Sequence, residues 1–191
     1  MNFTRRSLSG YRAVLACALG ALVLATSAWC TPDEETQVEA AYIYNFVKFV
    51  EWPDGAFASE HDDLVIGILG RDPFVGALDT IRGTTIRTTT TRDRRIKVAV
   101  CPGVDQGRRC QLLFVSRSEE ARVGEILVHL GESPVLTVAE IPGFARAGGI
   151  IEFAIQGDTV KFKVNLEAAR RRNLKLSSQL LGVAIEIVRS P

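Results

Sequence analysis

The chain has 191 residues, with 23 basic and 22 acidic side chains and a formal net charge of +1. This balance argues against a nucleic-acid-binding protein, because such proteins present a concentrated basic surface. About 160 residues remain once an N-terminal export signal is set aside, which is enough for one domain with a substantial core.

Residues 1–30 have the features of an export signal. Three arginines precede an uncharged apolar run over 13–25, and small residues at 26–28 suit a signal peptidase. Cleavage after Ala28 or after Cys30 both fit, and export by the general or the twin-arginine route is left open. We expect residues 31–191 to be a soluble periplasmic domain. Its net charge is −2, since the removed segment carries three cations and no anion. No later apolar run approaches the roughly 18 residues that a membrane span needs, so we expect no membrane insertion of the mature chain.

The stretch 41–53, AYIYNFVKFVEWP, predicts a helix that is apolar on more than one side. Only Asn45, Lys48 and Glu51 are polar, and they form one narrow stripe. Acids at 33–35 suit the start of this helix, and the Trp52-Pro53 step ends it. A helix this apolar must be covered on several sides. It either packs within the core or is shared between the core and a partner surface.

Short apolar runs farther along the chain predict a sheet. We expect strands at 64–69, 95–100, 112–116, 134–138, 150–155 and 160–164, the last two joined by a hairpin at Gly157-Asp158. Helices are predicted over 72–81, 118–130 and 139–149, from Asn165 to a break near Asn173, and over 176–188, while the threonine-rich segment 84–91 predicts an exposed strand or loop. Strands that alternate with helices indicate a Rossmann-like three-layer α/β sandwich, mostly parallel, with the late hairpin as an antiparallel edge.

Cys101 and Cys110 bracket a turn-rich connection within VCPGVDQGRRC. In an oxidising compartment this spacing favours a disulfide that closes a ten-residue loop, worth roughly 2.7 kcal/mol in the chain-entropy model. A metal site is disfavoured, because His61 and His129 are distant in sequence from these thiols and from each other. A redox-sensing role for the cysteine pair stays open.

No sequence motif marks a catalytic residue, a metal site or a cofactor site. The motifs GxSxG, HExxH and GxGxxG and the P-loop are absent, and neither histidine is placed to act as a base for a nucleophile. We therefore expect no catalytic residues, and an enzyme with an unrecognised site is a third hypothesis beside the regulator and the ligand-binding protein considered below.

The densest cationic cluster is Arg170–Arg172 with Lys175. A solvated helix end explains it, because cations complement the helix dipole. The functional alternative is a pocket for a small anion or phosphate, formed by Arg172, Asn173, Lys175 and Ser177 with Trp52 or Phe144 as aromatic partner.

Several segments together resemble the YfiR family of periplasmic proteins over nearly the whole mature chain and in the same order. They are AYIYNFVKFVEWP, IGILGRDPF, CQLLFVSRSE, VLTVAEIPGFARAGGIIEF and VKFKVNLEAARRRNLKLSSQLL. The resemblance implies a Rossmann-like domain that commonly dimerises and is a negative regulator. Such a regulator binds the periplasmic region of an inner-membrane YfiN-type diguanylate cyclase and restrains cyclic di-GMP synthesis. Cys110 matches a cysteine position of the family, and the family brings no catalytic residues.

A protein with this role needs an apolar contact surface. The sequence offers Tyr42, Phe46, Phe49 and Trp52 of the first helix, together with the apolar residues of the last helix. We expect a charge at Phe46 or Phe49 to free the partner from inhibition if the chain still folds. The alternative is a periplasmic small-ligand-binding sensory protein without a cyclase partner, its pocket lying at the strand ends.

Overall fold

An eight-stranded sheet forms the centre of the computed structural model, which describes residues 34–74, 76–87 and 93–189. The predicted export signal at 1–30 lies outside the described residues. The strands are β1 (Val50–Glu51), β2 (Leu64–Leu69), β3 (Thr85–Ile86), β4 (Arg94–Cys101), β5 (Leu112–Val115), β6 (Leu136–Ala139), β7 (Ile151–Gln156), β8 (Thr159–Asn165), β9 (Lys175–Leu176) and β10 (Glu186–Val188). The large sheet has the order β10-β8-β7-β6-β5-β2-β4-β3, and β1 pairs separately with β9.

Most neighbours in the large sheet run parallel, which confirms the predicted Rossmann-like α/β fold. Strands β2, β4, β5, β6 and β7 form parallel pairs, whereas β7 pairs antiparallel with β8 through the hairpin at Gly157. The hairpin is not the edge of the sheet, because β10 adds to the outer side of β8 in parallel.

Both faces of the sheet are covered, which explains the unbroken apolar runs. On β5, Leu112 and Phe114 belong to one core cluster, while Leu113 and Val115 belong to the other. Side chains alternate between the faces of a strand, so a strand with helices on both sides needs apolar residues at every position.

Five α-helices lie in the described part of the chain: α1 (Glu34–Lys48), α2 (Val104–Gly107), α3 (Val123–Leu130), α4 (Leu166–Arg171) and α5 (Ser178–Val183). Two 3₁₀ segments, Ala77–Thr80 and Arg117–Arg122, complete the connections. Asn165 caps α4 as predicted, since its side chain accepts a hydrogen bond from the Ala168 amide at 2.9 Å. None of the described helices is long and apolar enough to cross a bilayer.

Helix α1 packs on the antiparallel part of the sheet. The Phe46 ring lies 5.0 Å from the Phe162 ring of β8 and 5.7 Å from the Phe153 ring of β7, between ring centroids. Tyr42 contacts the same two strand residues. Ala40, Ile43 and Val47 of the same helix are also buried, so the helix is covered on more than one side.

Several of the predicted helices are wrong in whole or in part. The first, expected to end at the Trp52-Pro53 step, ends at Lys48 and is followed by β1. Within 72–81, the described helix is the 3₁₀ segment, although Asp72 accepts a hydrogen bond from the Phe74 amide at 2.7 Å. The segment 139–149 forms turns, and 176–188 divides into α5 and β10. Residues 183–188 are rich in β-branched side chains, which favour extended backbone. They pair in parallel with the outer side of β8, whose backbone groups supply the hydrogen bonds of a strand.

Buried polar side chains hold the turns over 139–149. Glu152 accepts a hydrogen bond from the Ala145 amide at 3.0 Å, and Asn165 donates to the Ala145 carbonyl at 2.6 Å. Burial alone would raise the pKa of Glu152, but hydrogen bonds from Lys163 and from the Ala145 amide outweigh it and lower that pKa. These side chains hydrogen-bond the amide and the carbonyl of Ala145, while backbone hydrogen bonds, such as the one from the Ala147 amide to the Gly143 carbonyl at 2.9 Å, close the other turns.

Candidate functional site

A cavity of about 540 Å³ lies beside the β1–β9 pair. Its walls come from two segments that are far apart in the sequence: Glu51, Trp52, Pro53 and Asp54 on one side, and Arg170, Asn173, Leu174 and Lys175 on the other. The segments meet because Glu51 of β1 pairs antiparallel with Lys175 of β9. The short ribbon therefore creates a concave site that neither segment forms alone.

Trp52 forms a fixed wall of this cavity. Its indole nitrogen donates to the Gln111 carbonyl at 3.2 Å, and its ring meets Phe57 edge to face with 6.4 Å between centroids. The Gln111 side chain in turn donates to the Ala56 carbonyl at 2.7 Å. Trp52 is 5% exposed, so it offers a small part of its ring to a ligand.

Asn173 turns the chain from α4 into β9. Its φ of 55° lies in the left-handed region, which asparagine tolerates better than most residues. The Leu174 amide donates back to the Ala169 carbonyl at 3.0 Å and closes the helix end. The break predicted near Asn173 is confirmed, and it places Asn173 on the cavity wall.

The cavity carries two acids and two bases. Glu51 and Asp54 lie on the first segment, and Arg170 and Lys175 on the second. Arg170 also pairs with Glu167, with 2.7 Å between nitrogen and oxygen. This set suits a small molecule that carries both a negative and a positive group, since each end would meet an opposite charge.

The structure brings together only part of the predicted ligand set. Asn173, Lys175 and Trp52 line the cavity. Arg172 is 4% exposed and points elsewhere, donating to the carbonyls of Gly148 at 3.4 Å and Ala168 at 3.3 Å. Burial, and then the charge of Arg171, lower the pKa of Arg172.

Two further residues from that prediction have structural roles. The Ser177 hydroxyl accepts from the Leu180 amide at 3.2 Å and caps α5. Phe144 is buried against Gly149, where an added Cβ would come within 2.2 Å of the Phe144 ring. Neither residue lines the cavity.

The carboxyl ends of β2 and β5 are filled by side chains. A Cβ added at Gly70 would meet Ser118 at 2.5 Å and Glu119 at 2.9 Å, and the Ser118 hydroxyl accepts from the Arg71 amide at 2.9 Å. Ligands of open parallel sheets often bind at such strand ends. The cavity described above lies beside the β1–β9 ribbon, and a ligand pocket at the strand ends stays a prediction.

The four predicted partner-binding residues differ in exposure. Phe46 and Trp52 are 1% and 5% exposed, so the prediction that their side chains contact a partner is corrected: both belong to the core. Tyr42 and Phe49 are half-buried against the same core. Phe49 and Trp52 follow the end of α1 at Lys48, so a helical pattern over 41–53 could not predict which of these residues are exposed.

Exposed apolar side chains occur instead near the end of the chain. Val183, Ile185 and Ile187 are 63%, 38% and 46% exposed. Val183 ends α5, Ile185 lies in the connection after it, and Ile187 lies on β10 at the edge of the sheet. The sequence had indicated apolar residues of the last helix as a contact surface, and the structure places one exposed residue on α5, one in the connection and one on the edge strand β10.

The two cysteines are close and buried. Their sulfur atoms lie 3.7 Å apart as free thiols, whereas a disulfide bond measures about 2.05 Å. A Cβ added at Gly67 would come within 2.6 Å of the Cys110 sulfur, so the pair occupies the space above this glycine. The disulfide stays a prediction, for which the structure supplies the required proximity.

The hydrogen bond between the thiols separates their pKa values. It lowers the pKa of Cys101 from an ordinary 9.0 to about 7, against the effect of burial. The same hydrogen bond, together with burial, raises the pKa of Cys110. Among the residues that the structure describes, no group of three or more potential ligands is placed to hold a metal ion.

A family model described as YfiR/HmsC-like matches residues 36–185, which is most of the chain. No curated protein matches the sequence.

Proposed function

The chain belongs to the YfiR/HmsC-like family, and from this premise we propose that it is a periplasmic negative regulator of a membrane-bound diguanylate cyclase. The family is one of regulators of cyclic di-GMP signalling rather than of enzymes. In the proposal, the mature domain binds the periplasmic region of a YfiN-type cyclase in the inner membrane and lowers its output. The observation that carries the proposal is the family match over residues 36–185.

The sequence supports the periplasmic part of this proposal. Residues 1–30 have the composition of an export signal, and the remainder is close to neutral. The mature protein would then meet the cyclase only on the far side of the membrane. Inhibition requires that the regulator bind the inactive state of the cyclase more tightly than the active state.

Deletion of residues 2–30 should abolish repression. The chain is to be co-expressed with a YfiN-type cyclase in a host without its own regulator, and cyclic di-GMP measured in cell extracts. We expect the full chain to lower the nucleotide level and the deleted chain, retained in the cytoplasm, to leave it unchanged. The control fuses a different signal peptide to residue 31 and should restore repression. Equal repression by the cytoplasmic form would contradict the proposal.

The charged cavity favours a second candidate function, a sensor for a small ligand. Two acids and two bases line it beside Trp52, which suits a zwitterion such as a free amino acid. The two functions are compatible, because a ligand that binds one state of the regulator more tightly would shift its affinity for the cyclase.

Lys175→Ala should weaken the response to such a ligand. A molecule present at 100 times its dissociation constant stabilises the native state by about 2.7 kcal/mol. We expect free amino acids to raise the melting temperature of the wild-type protein, and Lys175→Ala to reduce this shift by half or more, an order-of-magnitude expectation for one charge-assisted hydrogen bond. Lys161→Ala on β8, outside the cavity, is the matched control. Unchanged melting of the wild type with amino acids and with nucleotides would exclude this second function.

A further inference from the structure

A second cavity, of about 290 Å³, shares Trp52, Pro53 and Asp54 with the cavity beside the β1–β9 pair. We propose that this second cavity binds a small carboxylate with an aromatic body, whose carboxylate pairs with the buried guanidinium of Arg94. This inference does not depend on the proposed function. The rest of the lining comes from the loop after β1 and from the start of β4: Gly55, Phe57, Ala58, Ser59, Glu60 and Arg94. We call it the Arg94 cavity.

The guanidinium of Arg94 is buried and only partly satisfied. Arg94 is 7% exposed, and its Nη1 donates to the carbonyls of Ser59 at 3.2 Å and Asp62 at 2.7 Å. Its central carbon lies 3.6 Å from the centre of the Phe57 ring. The Nε of Arg94 is shielded from solvent and has no hydrogen-bond partner within the described part of the chain. A buried donor without a partner is unfavourable, so an acceptor is expected at this position.

The Asp62 carboxylate does not supply that acceptor. It accepts hydrogen bonds from the Ser59 amide at 2.9 Å and from the Ser59 hydroxyl at 2.7 Å. The Nε and Nη2 of Arg94 donate along one edge of the planar guanidinium, and both hydrogen bonds to the loop carbonyls come from Nη1 instead. A carboxylate matches the remaining edge, because its two oxygens accept two parallel N–H bonds. Since Nε is shielded, full pairing requires a small outward movement of the loop 54–60, most of which is exposed.

Aromatic side chains lie beside the cation. Phe57 stacks on Arg94 and meets the Trp52 ring edge to face, with 6.4 Å between centroids. Pro53 and Phe57 are half-buried, so each keeps some apolar surface for a ligand. A volume of about 290 Å³ is at the lower end of the range for ligand pockets, roughly 300–1,000 Å³. The cavity therefore suits an acid with a single ring.

Two acids in the lining limit the charge of the ligand. Asp54 and Glu60 are both exposed, so solvent and salt screen them, whereas Arg94 acts from a buried position where charges interact more strongly. One carboxylate can therefore pair with Arg94. A second negative charge on the ligand would face Asp54 and Glu60, so we expect the cavity to prefer monocarboxylates to dicarboxylates.

A set of related ligands tests this preference on the unmodified protein. Benzoate, phenylacetate and 3-phenylpropionate carry the same charge on tethers of different length, and calorimetric titration of the exported protein measures their dissociation constants. We expect at least one of them to bind, and its neutral amide and phenylmalonate to bind roughly tenfold more weakly or worse. No binding of the three acids at millimolar concentration would overturn the proposal. Equal binding of the amide, or of inorganic phosphate, would also overturn it.

Two arginines provide a matched pair of variants. Arg172 is also buried, donates through Nη1 to two backbone carbonyls and has an unpartnered Nε, but it lines neither cavity. Lysine keeps the charge but cannot pair through two parallel N–H bonds, so Arg94→Lys should raise the dissociation constant of the acid by roughly tenfold or more. Arg172→Lys should leave it unchanged. Equal effects of the two variants, or no effect of Arg94→Lys, would overturn the proposal.

A variant of Phe57 tests the position of the ligand, also if Arg94→Lys does not fold. Phe57 lines the Arg94 cavity and does not line the cavity beside the β1–β9 pair. Phe57→Leu keeps an apolar side chain and removes the ring, so it should raise the dissociation constant of the acid by roughly threefold or more. Circular dichroism checks that the variant is folded. Unchanged affinity in folded Phe57→Leu would place the ligand elsewhere and overturn the proposal.

Discussion

Replacing Phe46 with alanine should lower the free energy of unfolding by about 3–5 kcal/mol, the range measured for large aromatic side chains removed from a core. Phe46 is 1% exposed and contacts the rings of Phe153 and Phe162. Domains of this kind have total stabilities of about 5–15 kcal/mol, so this one change removes a large part of the total. Urea unfolding followed by tryptophan fluorescence measures the loss. Phe46→Glu should yield no folded protein, because the charge would be buried without a partner.

The control for this prediction lies on the same helix. Val38 is 39% exposed, and Val38→Ala should change the stability by less than about 0.5 kcal/mol. A similar small effect of Phe46→Ala would contradict the packing of α1 on the sheet. Phe49, which follows α1, is half-buried, so Phe49→Glu tests whether this part of the chain contacts the partner. A folded Phe49→Glu variant that no longer represses the cyclase would place Phe49 at the partner surface.

The strands could be predicted because burial on both faces has a direct sequence signature. The runs LVIGIL and LLFV are apolar at every position, and both form central strands. The end of the chain lacked such a signature. The apolar residues of 176–188 fit a helical pattern, but β10 forms there because the outer side of β8 is available to it. Pairing with β8 decides whether this segment forms a helix or a strand, and a local sequence pattern carries no information about such long-range pairing.

Only part of the candidate cavity could be predicted, because its two walls come from segments that are far apart in the sequence. The sequence predicted Asn173 and Lys175 as ligand-binding residues because they lie in or beside a cationic cluster, and both line the cavity. Glu51 and Asp54 were missed, because β1 and β9 are two-residue strands too short to produce any periodicity. Arg172 was included wrongly, since the sequence does not show that its side chain turns inward to backbone carbonyls.

Reduction of the exported protein should lower its free energy of unfolding by about 2.7 kcal/mol, if Cys101 and Cys110 form the predicted disulfide. The sulfur atoms lie 3.7 Å apart and both residues are buried, so a small movement suffices to bond them. Urea unfolding with and without dithiothreitol measures the difference, and mass spectrometry of the linked peptide identifies the bond. The double variant Cys101→Ala, Cys110→Ala should show no effect of the reductant. Free thiols at both Cys101 and Cys110 in the oxidised protein, with identical unfolding curves, would contradict the prediction.

The reduced protein should also show a pH dependence that the oxidised protein lacks. The pKa of Cys101 falls from 9.0 to about 7 in the native state, because Cys110 donates a hydrogen bond to it. Between pH 7 and 9 the unfolded thiol keeps its proton while the native thiol has lost it, so the stability of the reduced protein should rise with pH across this range. Above pH 9 the effect of pH on the stability of the reduced protein reverses. The pKa of Cys110 is raised in the native state, so the unfolded chain then holds fewer protons and stability falls. A pH series of unfolding curves under reducing conditions, with the double alanine variant as control, should show a maximum near pH 9 that disappears on oxidation.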